Sequence, residues 1–339
     1  MTAMRMRPDE LDLDAGLVAR LIAAQFPRWA GLPVRRLRSS GTENAMFRLG
    51  TELVVRLPRY PGAVEGVAHE QHWLPRLGPR LPCAVPEPVG LGEPGAGFPW
   101  PWSVYRWLDG ENPVAGAPDD PEGLATGLAG FVTALRSLAP EGGPAGHRGV
   151  PLGTRDAPTR EAIGRLAGRI DTEAVTSLWE EAVRVPAHAG PPVWAHGDLS
   201  PGNVLVDSGR LAAVIDFGSV GTGDPAVDLI VAWNLLPAGA RDVFREAVGA
   251  DAAQWARGRG WALSISLIQL PFYWDTNPPL AANSRHVIKE ILAERACLTA
   301  VRPAHRRQAQ GAAPASSAAR SGAVPWPSRT PRSARAARS

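Results

Sequence analysis

Cysteine is scarce in this 339-residue chain, and no stretch reaches the roughly 18 apolar residues that a membrane-spanning helix needs. The two cysteines, Cys83 and Cys297, lie too far apart to form a metal-ligand pair with each other, so free, partly buried thiols are expected. The N-terminal MTAMRMRPDELDLD turns acidic where a secretory signal needs an apolar run, which gives the expectation of a cytoplasmic chain without membrane contact. There is no internal repeat. Acid is missing from one end only: residues 302–339 hold eight arginines and no aspartate or glutamate, and without them the formal charge of +3 becomes −5. The remainder is mildly acidic, which argues against a surface that tracks nucleic-acid phosphates. Binding to nucleic acid through the arginine tail would be a separate, salt-sensitive property.

What is present is ordinary for a folded protein: 45% hydrophobic and 20% charged residues, with glycine (36) and proline (34) both high. The length allows a sizeable core and two lobes. LDAGLVARLIAAQF, within residues 11–30, repeats apolar residues at three and four and reads as an amphipathic helix. VRRLRSSGTENAMFRLGTELVVRLPR alternates instead, predicting three strands with turns at Ser-Ser-Gly-Thr-Glu-Asn and Leu49-Gly50-Thr51. VEGVAHEQHWL is a short helix limited by Pro75, and PWSVYRWLDGE holds another strand. LATGLAGFVTALRSL, TEAVTSLWEEAV and most of 226–299 have helical period, residues 140–158 form a Gly/Pro-rich connection, and disorder is expected from 302 onward.

The densest chemistry lies in HGDLSPGNVLVDSGRLAAVIDFG, residues 196–218. NVLVD and AAVIDF are apolar runs joined by a Ser208-Gly209 hairpin turn, so the hairpin brings Asp198, Asn203 and Asp216 to one edge, with Asp216 ending the second strand. Asp207 stays at the turn. Oxygen donors of this kind, without histidine or cysteine, suit Mg²⁺ with water and phosphate oxygens completing its shell. An Asp followed five residues later by Asn, and then an Asp-Phe-Gly, is the arrangement that phosphoryl transfer uses for base and metal ligands. His196 reads as a buried histidine bracing the loop rather than a catalyst.

HGDLSPGNVLV, VIDFG and GDPAVDL together resemble the aminoglycoside phosphotransferase family, and SSGTENAMFRLG, LVVRLPR, EQHWLPRL, PWPWSVYRWLDGE and YWDTNPPLAANSRHVIKEIL extend the likeness over roughly residues 30–300. The resemblance implies an α+β, two-lobed protein-kinase-like fold: an N-terminal antiparallel sheet lobe with one helix (1–108), a mainly helical C-terminal catalytic and substrate lobe (109–301), and the tail (302–339). It implies ATP or GTP and Mg²⁺ as cofactors, Asp198 as catalytic base, Asn203 and Asp216 as metal ligands, and Asp228 as a brace for the catalytic loop. Ser40, Gly41, Thr42 and Asn44 fall in the loop that would cover the phosphates, although G-x-G-x-x-G is missing from it. Arg56 stands where many relatives carry lysine, with Glu70 of the following helix as its partner; a forked, permanent cation grips phosphate in a different geometry. Tyr105, Arg106, Trp107 and Leu108 would form the hinge whose backbone reads the base.

Gly197 precedes Asp198 where protein kinases carry arginine, and seven residues separate Asp216 from Asp224, which leaves no room for an activation segment. The acceptor is therefore expected to be a small hydroxylated molecule, with no protein partner inferred. A cationic, aminoglycoside-like acceptor fits an acidic pocket, for which Asp224, Asp275, Glu290 and Glu294 are the candidates. Relatives of the family also resemble choline, homoserine, macrolide and hydroxyurea kinases, and the other alternative is a non-catalytic kinase-like nucleotide binder.

Overall fold

Strands β1 (Val34–Arg36), β2 (Asn44–Leu49), β3 (Leu53–Pro58), β4 (Pro88–Gly92) and β5 (Trp102–Arg106) form an antiparallel sheet in the order β1-β2-β3-β5-β4. The computed structural model describes residues 9–39 and 41–310, with side chains as far as Arg295. Period-two alternation sorts the strands into two faces. Phe47, Leu49, Val55, Leu57, Trp102 and Val104 pack against Val18, Leu21 and Ile22 of helix α1 (Ala15–Gln25). Asp14 caps α1 by accepting the Leu17 N–H at 2.7 Å, and the helix stops just before Pro27. Val54, Arg56, Ser103 and Tyr105 point to the opposite face, where α2 (Glu65–Leu77) lies and Gln71 donates to the Ser103 hydroxyl (3.0 Å) and the Gly90 carbonyl (3.2 Å). The sheet thus carries a helix on each face, one more than the single helix expected to cross it, because the apolar stripe of α1 is also buried on it.

The helical lobe contains α3 (Pro121–Ser137), α4 (Asp156–Arg165), α5 (Thr172–Val183), the short α6 (Val231–Asn234), α7 (Ala238–Ala247), α8 (Ala252–Tyr273) and α9 (Pro278–Gln310). Helix α8 is buried on several sides, with Trp261, Leu263, Leu267 and Leu270 inside. A Cβ at Gly258 would stand 2.6 Å from Leu229 Cβ, so only glycine lets α8 approach that segment so closely. One buried cluster runs from Val54, Leu74 and Tyr105 of the sheet lobe to Phe131, Trp194 and Phe217 of the helical lobe.

Two small antiparallel pairs sit within this lobe: β6 (Val193–Ala195) with β9 (Gly221–Gly223), and β7 (Val204–Asp207) with β8 (Arg210–Val214). The β7–β8 turn has positive φ at Ser208 (51°) and Gly209 (79°), as a tight two-residue hairpin requires. The expected Gly/Pro-rich connection is partly ordered as an extra edge beside β9, through Gly146 N–H to Thr222 O (2.9 Å) and Thr222 N–H to Pro144 O (2.8 Å), and its end already belongs to α4. The described residues up to Arg295 form one compact unit. Helix α9 runs to Gln310, entering the stretch where disorder was expected, since alanine, arginine and glutamine are good helix formers. Residues 311–339, and Ser40, lie outside the described residues. Among the described residues no helix is long and apolar enough to cross a membrane.

Candidate active site

Strand β6 ends at Ala195 and delivers His196, Gly197 and Asp198 into a loop held from below by Asp228. The fully buried Asp228 carboxylate accepts the N–H groups of His196 (2.9 Å) and Gly197 (2.8 Å). His196 is also fully buried; its Nδ1 accepts the Asp198 N–H at 3.2 Å, so Nε2 is the donor to the Ile215 carbonyl at 3.1 Å. Its ring meets Phe217 edge-on at 4.9 Å. Gly197 has φ +80°, and a Cβ there would lie 3.0 Å from the Ser219 carbonyl, so a side chain at this position would be strained on two counts. His196 and Asp228 set the loop's shape and face no solvent.

Asn203 sits at the end of a single 3-10 turn, Pro201–Asn203, and donates through Nδ2 to the Asp198 carbonyl (2.8 Å) and carboxylate (3.2 Å). Its amide oxygen is then the atom left to meet a cation. Arg148 donates to Asp198 Oδ1 and to the Gly197 carbonyl, the latter at 2.9 Å. Burial pushes the Asp198 carboxyl upward, but Arg148, through charge and hydrogen bond, together with His196 and Asn203 holds the group below the usual aspartate value. Sequence reasoning missed Arg148, which stands in a loop with no motif around it.

Asp216 does not end the second strand. Strand β8 stops at Val214, and Asp216 takes a left-handed backbone (φ 67°, ψ 70°) that costs an aspartate about 1–3 kcal/mol and turns the chain toward the sheet lobe. There Asp216 Oδ1 accepts from Arg56 at 3.1 Å, while the other arm of the same guanidinium meets Glu70 Oε1 and Oε2 at 2.8 and 2.7 Å. Glu70 also accepts the Tyr105 hydroxyl (2.6 Å) and the Phe217 N–H (2.8 Å). Burial disfavours the Arg56 charge, yet Glu70 and Asp216 more than restore it. The Tyr105 hydroxyl is pushed far up, first by burial and then by Glu70, and remains a donor. Glu43, Asn44, Arg56, Glu70, Asp216 and Gly218 line the pocket between these groups. Glu43, part of the phosphate-loop motif but not singled out in it, is raised by burial and then by the charges of Asp216 and Asp198.

Gly41 and Thr42 lie in the β1–β2 turn, where the Gly41 N–H bonds to Ser39 Oγ at 2.9 Å. At the hinge, the Arg106 N–H is committed to Glu87 O (3.0 Å) and the Trp107 N–H to Glu52 O (2.8 Å), so a base edge would be read by Leu108 or by carbonyls. The Arg106 side chain pairs with Glu87 in solvent, and Arg48 stacks on the Trp107 ring at 3.6 Å. The acids considered for an acceptor pocket have these surroundings. Asp224 is buried against Arg257 (2.7 Å), Glu290 pairs with Arg241, Glu294 accepts Trp233 Nε1 (2.7 Å), and Asp275 is exposed. Cys83 is free and half-buried, its thiol pushed up to about 11 by burial.

Among the described residues no three His, Cys, Asp or Glu side chains are grouped to hold a metal alone. The donors fit a cation that takes most of its shell from phosphate and water: Asp216 keeps its side chain 40% exposed while giving one oxygen to Arg56.

Residues 34–261 match the model of a family described as "Phosphotransferase enzyme family". An aminoglycoside 3'-phosphotransferase of Escherichia coli is 41% identical over 118 residues, 32% of this chain and 42% of that protein. One from Streptomyces fradiae is 30% identical over 189 residues, 51% of this chain and 65% of that protein. Each match spans less than two thirds of the relative's length. The GDP complex of aminoglycoside 2'-phosphotransferase-IIIa shares the fold, with TM-score 0.67 at 20% identity over 84% of this chain and all (100%) of that one. A macrolide 2'-phosphotransferase from Brachybacterium faecium gives 0.54 at 24% identity, covering 80% and 97%.

Proposed function

Because the chain belongs to the phosphotransferase enzyme family, we propose that it moves the γ-phosphoryl group of ATP or GTP to a hydroxyl of a small molecule, acting in the cytoplasm. The observation that carries the reading is that Asn203, which holds Asp198, accepts the Ile215 N–H on its backbone carbonyl at 2.9 Å beside Asp216, and Asp216 in turn meets the Arg56–Glu70 pair of the sheet lobe. Asp198 is anionic at neutral pH, and Asn203 fixes its orientation, so it can align an acceptor hydroxyl and take its proton. The acceptor oxygen bonds to phosphorus as the bond to the β-phosphate oxygen breaks, and the nucleoside diphosphate leaves with that electron pair. Asn203 and Asp216 would hold Mg²⁺, which supplies charge neutralisation on the phosphates when bound. Arg56 reaches the same pocket as a fixed cation, locked by Glu70. Its contacts to both carboxylates supply what a lysine would provide as a point charge.

Acceptors named for similar folds are aminoglycosides, as in a GDP and kanamycin complex, and macrolides. An aminoglycoside is the first acceptor to try. The pairing of Asp224 and Glu290 with arginines means that recognition of a polycation would not rest on these two acids. The test measures Mg²⁺-dependent diphosphate release with kanamycin, gentamicin and a macrolide, and gain of one phosphate in the product by mass. Asp198→Ala is expected to lower turnover by about 10²–10⁴-fold with an unchanged melting temperature. Nucleotide binding with no acceptor phosphorylated, and Asp198→Ala indistinguishable, would leave only a nucleotide binder.

A further inference from the structure

Arg148 reaches Asp198 from outside both motifs. Its segment is pinned along β9, through Gly146 N–H to Thr222 O (2.9 Å) before it and Asp224 N–H to Gly149 O (2.8 Å) after it. Strand β9 pairs with β6, which leads directly into His196, Gly197 and Asp198. The backbones of Arg148 and Asp198 therefore share one platform, while the long arginine side chain can re-aim from a fixed Cα.

The geometry points to Arg148 as a phosphoryl-binding arginine, parked on Asp198 in the nucleotide-free chain and transferred to the terminal phosphoryl group when a triphosphate is bound. This rests on the phosphotransferase reading above. Three observations carry it. Both contacts of Arg148 use one nitrogen, Nη1, whereas a guanidinium has five N–H donors, and the side chain keeps 18% of its surface exposed. Arg257, by contrast, spends Nε and Nη2 on Asp224 and Nη1 on the Pro186 carbonyl. Next, the pocket has a charge problem: Glu43 and Asp216 line it together, Glu43 also feels the charge of Asp198, and Arg56 is already matched by Glu70. A polyanionic phosphate tail entering there needs another cation. Finally, the partner that Arg148 holds is the group that must accept a proton, and a carboxylate tied to a guanidinium is a weak base. Moving Arg148 from Asp198 to phosphate oxygens frees the base and neutralises the donor together, the service that an arginine supplied in cis performs in other phosphoryl transfers.

Acceptor chemistry is not needed for the test. Calorimetric titration of the full chain with Mg²⁺ and either the non-hydrolysable triphosphate analogue or the diphosphate, in the adenine or guanine form that the unaltered chain binds, gives a triphosphate-to-diphosphate affinity ratio. Arg148→Met is expected to weaken the triphosphate analogue by roughly ten- to a hundredfold, the loss of one or two charge-assisted hydrogen bonds, with diphosphate affinity within about twofold. Arg148→Lys, which keeps the charge without the fork, falls between. Melting curves without nucleotide establish that both variants fold; should the methionine variant not fold, the lysine variant carries the comparison. An unchanged ratio, or an equal loss for both nucleotides, makes Arg148 a structural tie and overturns the inference. A chain that binds neither nucleotide removes the phosphotransferase reading itself, an outcome distinct from both.

Discussion

Two arginine–carboxylate pairs flank the site, and they are built differently. Glu70 is 3% exposed in its side chain and takes four donor contacts: two from Arg56, one from Tyr105 and one from the Phe217 backbone. Asp198 is 31% exposed and meets Arg148 through a single nitrogen. The first pair crosses from sheet to helix and then to the Asp-Phe-Gly turn; every atom of it has a place, and moving one breaks several contacts. The second lies at the mouth of the site and can exchange partners at low cost. The same two chemical groups thus serve as a brace where they are buried and satisfied, and as a movable contact where they are half open.

Glu70→Ala gives the largest break in this comparison. It strands the Arg56 charge together with the Tyr105 hydroxyl and Phe217 N–H, and urea unfolding should show a loss of about 3–5 kcal/mol. A loss under about 1 kcal/mol would mean that the brace is not one. Arg56→Lys is milder: an ammonium can stay with Glu70 but cannot bridge to Asp216, so the expected loss is about 1.5–3 kcal/mol by the same measurement. Arg148→Met should cost the fold about 1 kcal/mol or less. Its mark is on pH dependence instead. Arg148 is the leading influence holding the Asp198 carboxyl below its usual value against burial, so without it the carboxyl protonates at higher pH. The acid limb of the kcat/KM profile, which reports the nucleotide-free chain where Arg148 rests on Asp198, should move upward, and a limb that stays in place would show that Arg148 does not set the protonation of Asp198.

Some of this site was open to reading before any fold was known. The five-residue step from Asp198 to Asn203 lies within one loop, and the Ser208-Gly209 turn between two apolar runs has a local backbone reason. The strand carrying Arg56 and the helix carrying Glu70 follow from period-two and helical patterns, and the two side chains meet. The acids offered for the acceptor were harder. Glu290 and Glu294 share a helical face by spacing alone, a pattern that looks the same whether the face is solvated, lines a pocket or meets a partner; Glu290 meets Arg241, 49 residues away. Asp224 and Arg257 are 33 residues apart, with no pattern to announce their pairing. The left-handed turn at Asp216 was hidden as well, since aspartate tolerates that conformation without demanding it.

By itself the sequence determined the alternating strands, the hairpin, the order of the acids along it and the glycine beside Asp198. These depend on neighbours within a few residues, where backbone geometry dictates the outcome. Only the tertiary structure decided which carboxylates remain available and which are spent on arginines, and that Arg148 stands over an aspartate 50 residues further along the chain. Ion pairs form wherever folding brings opposite charges together out of water, and no spacing in the sequence records that meeting.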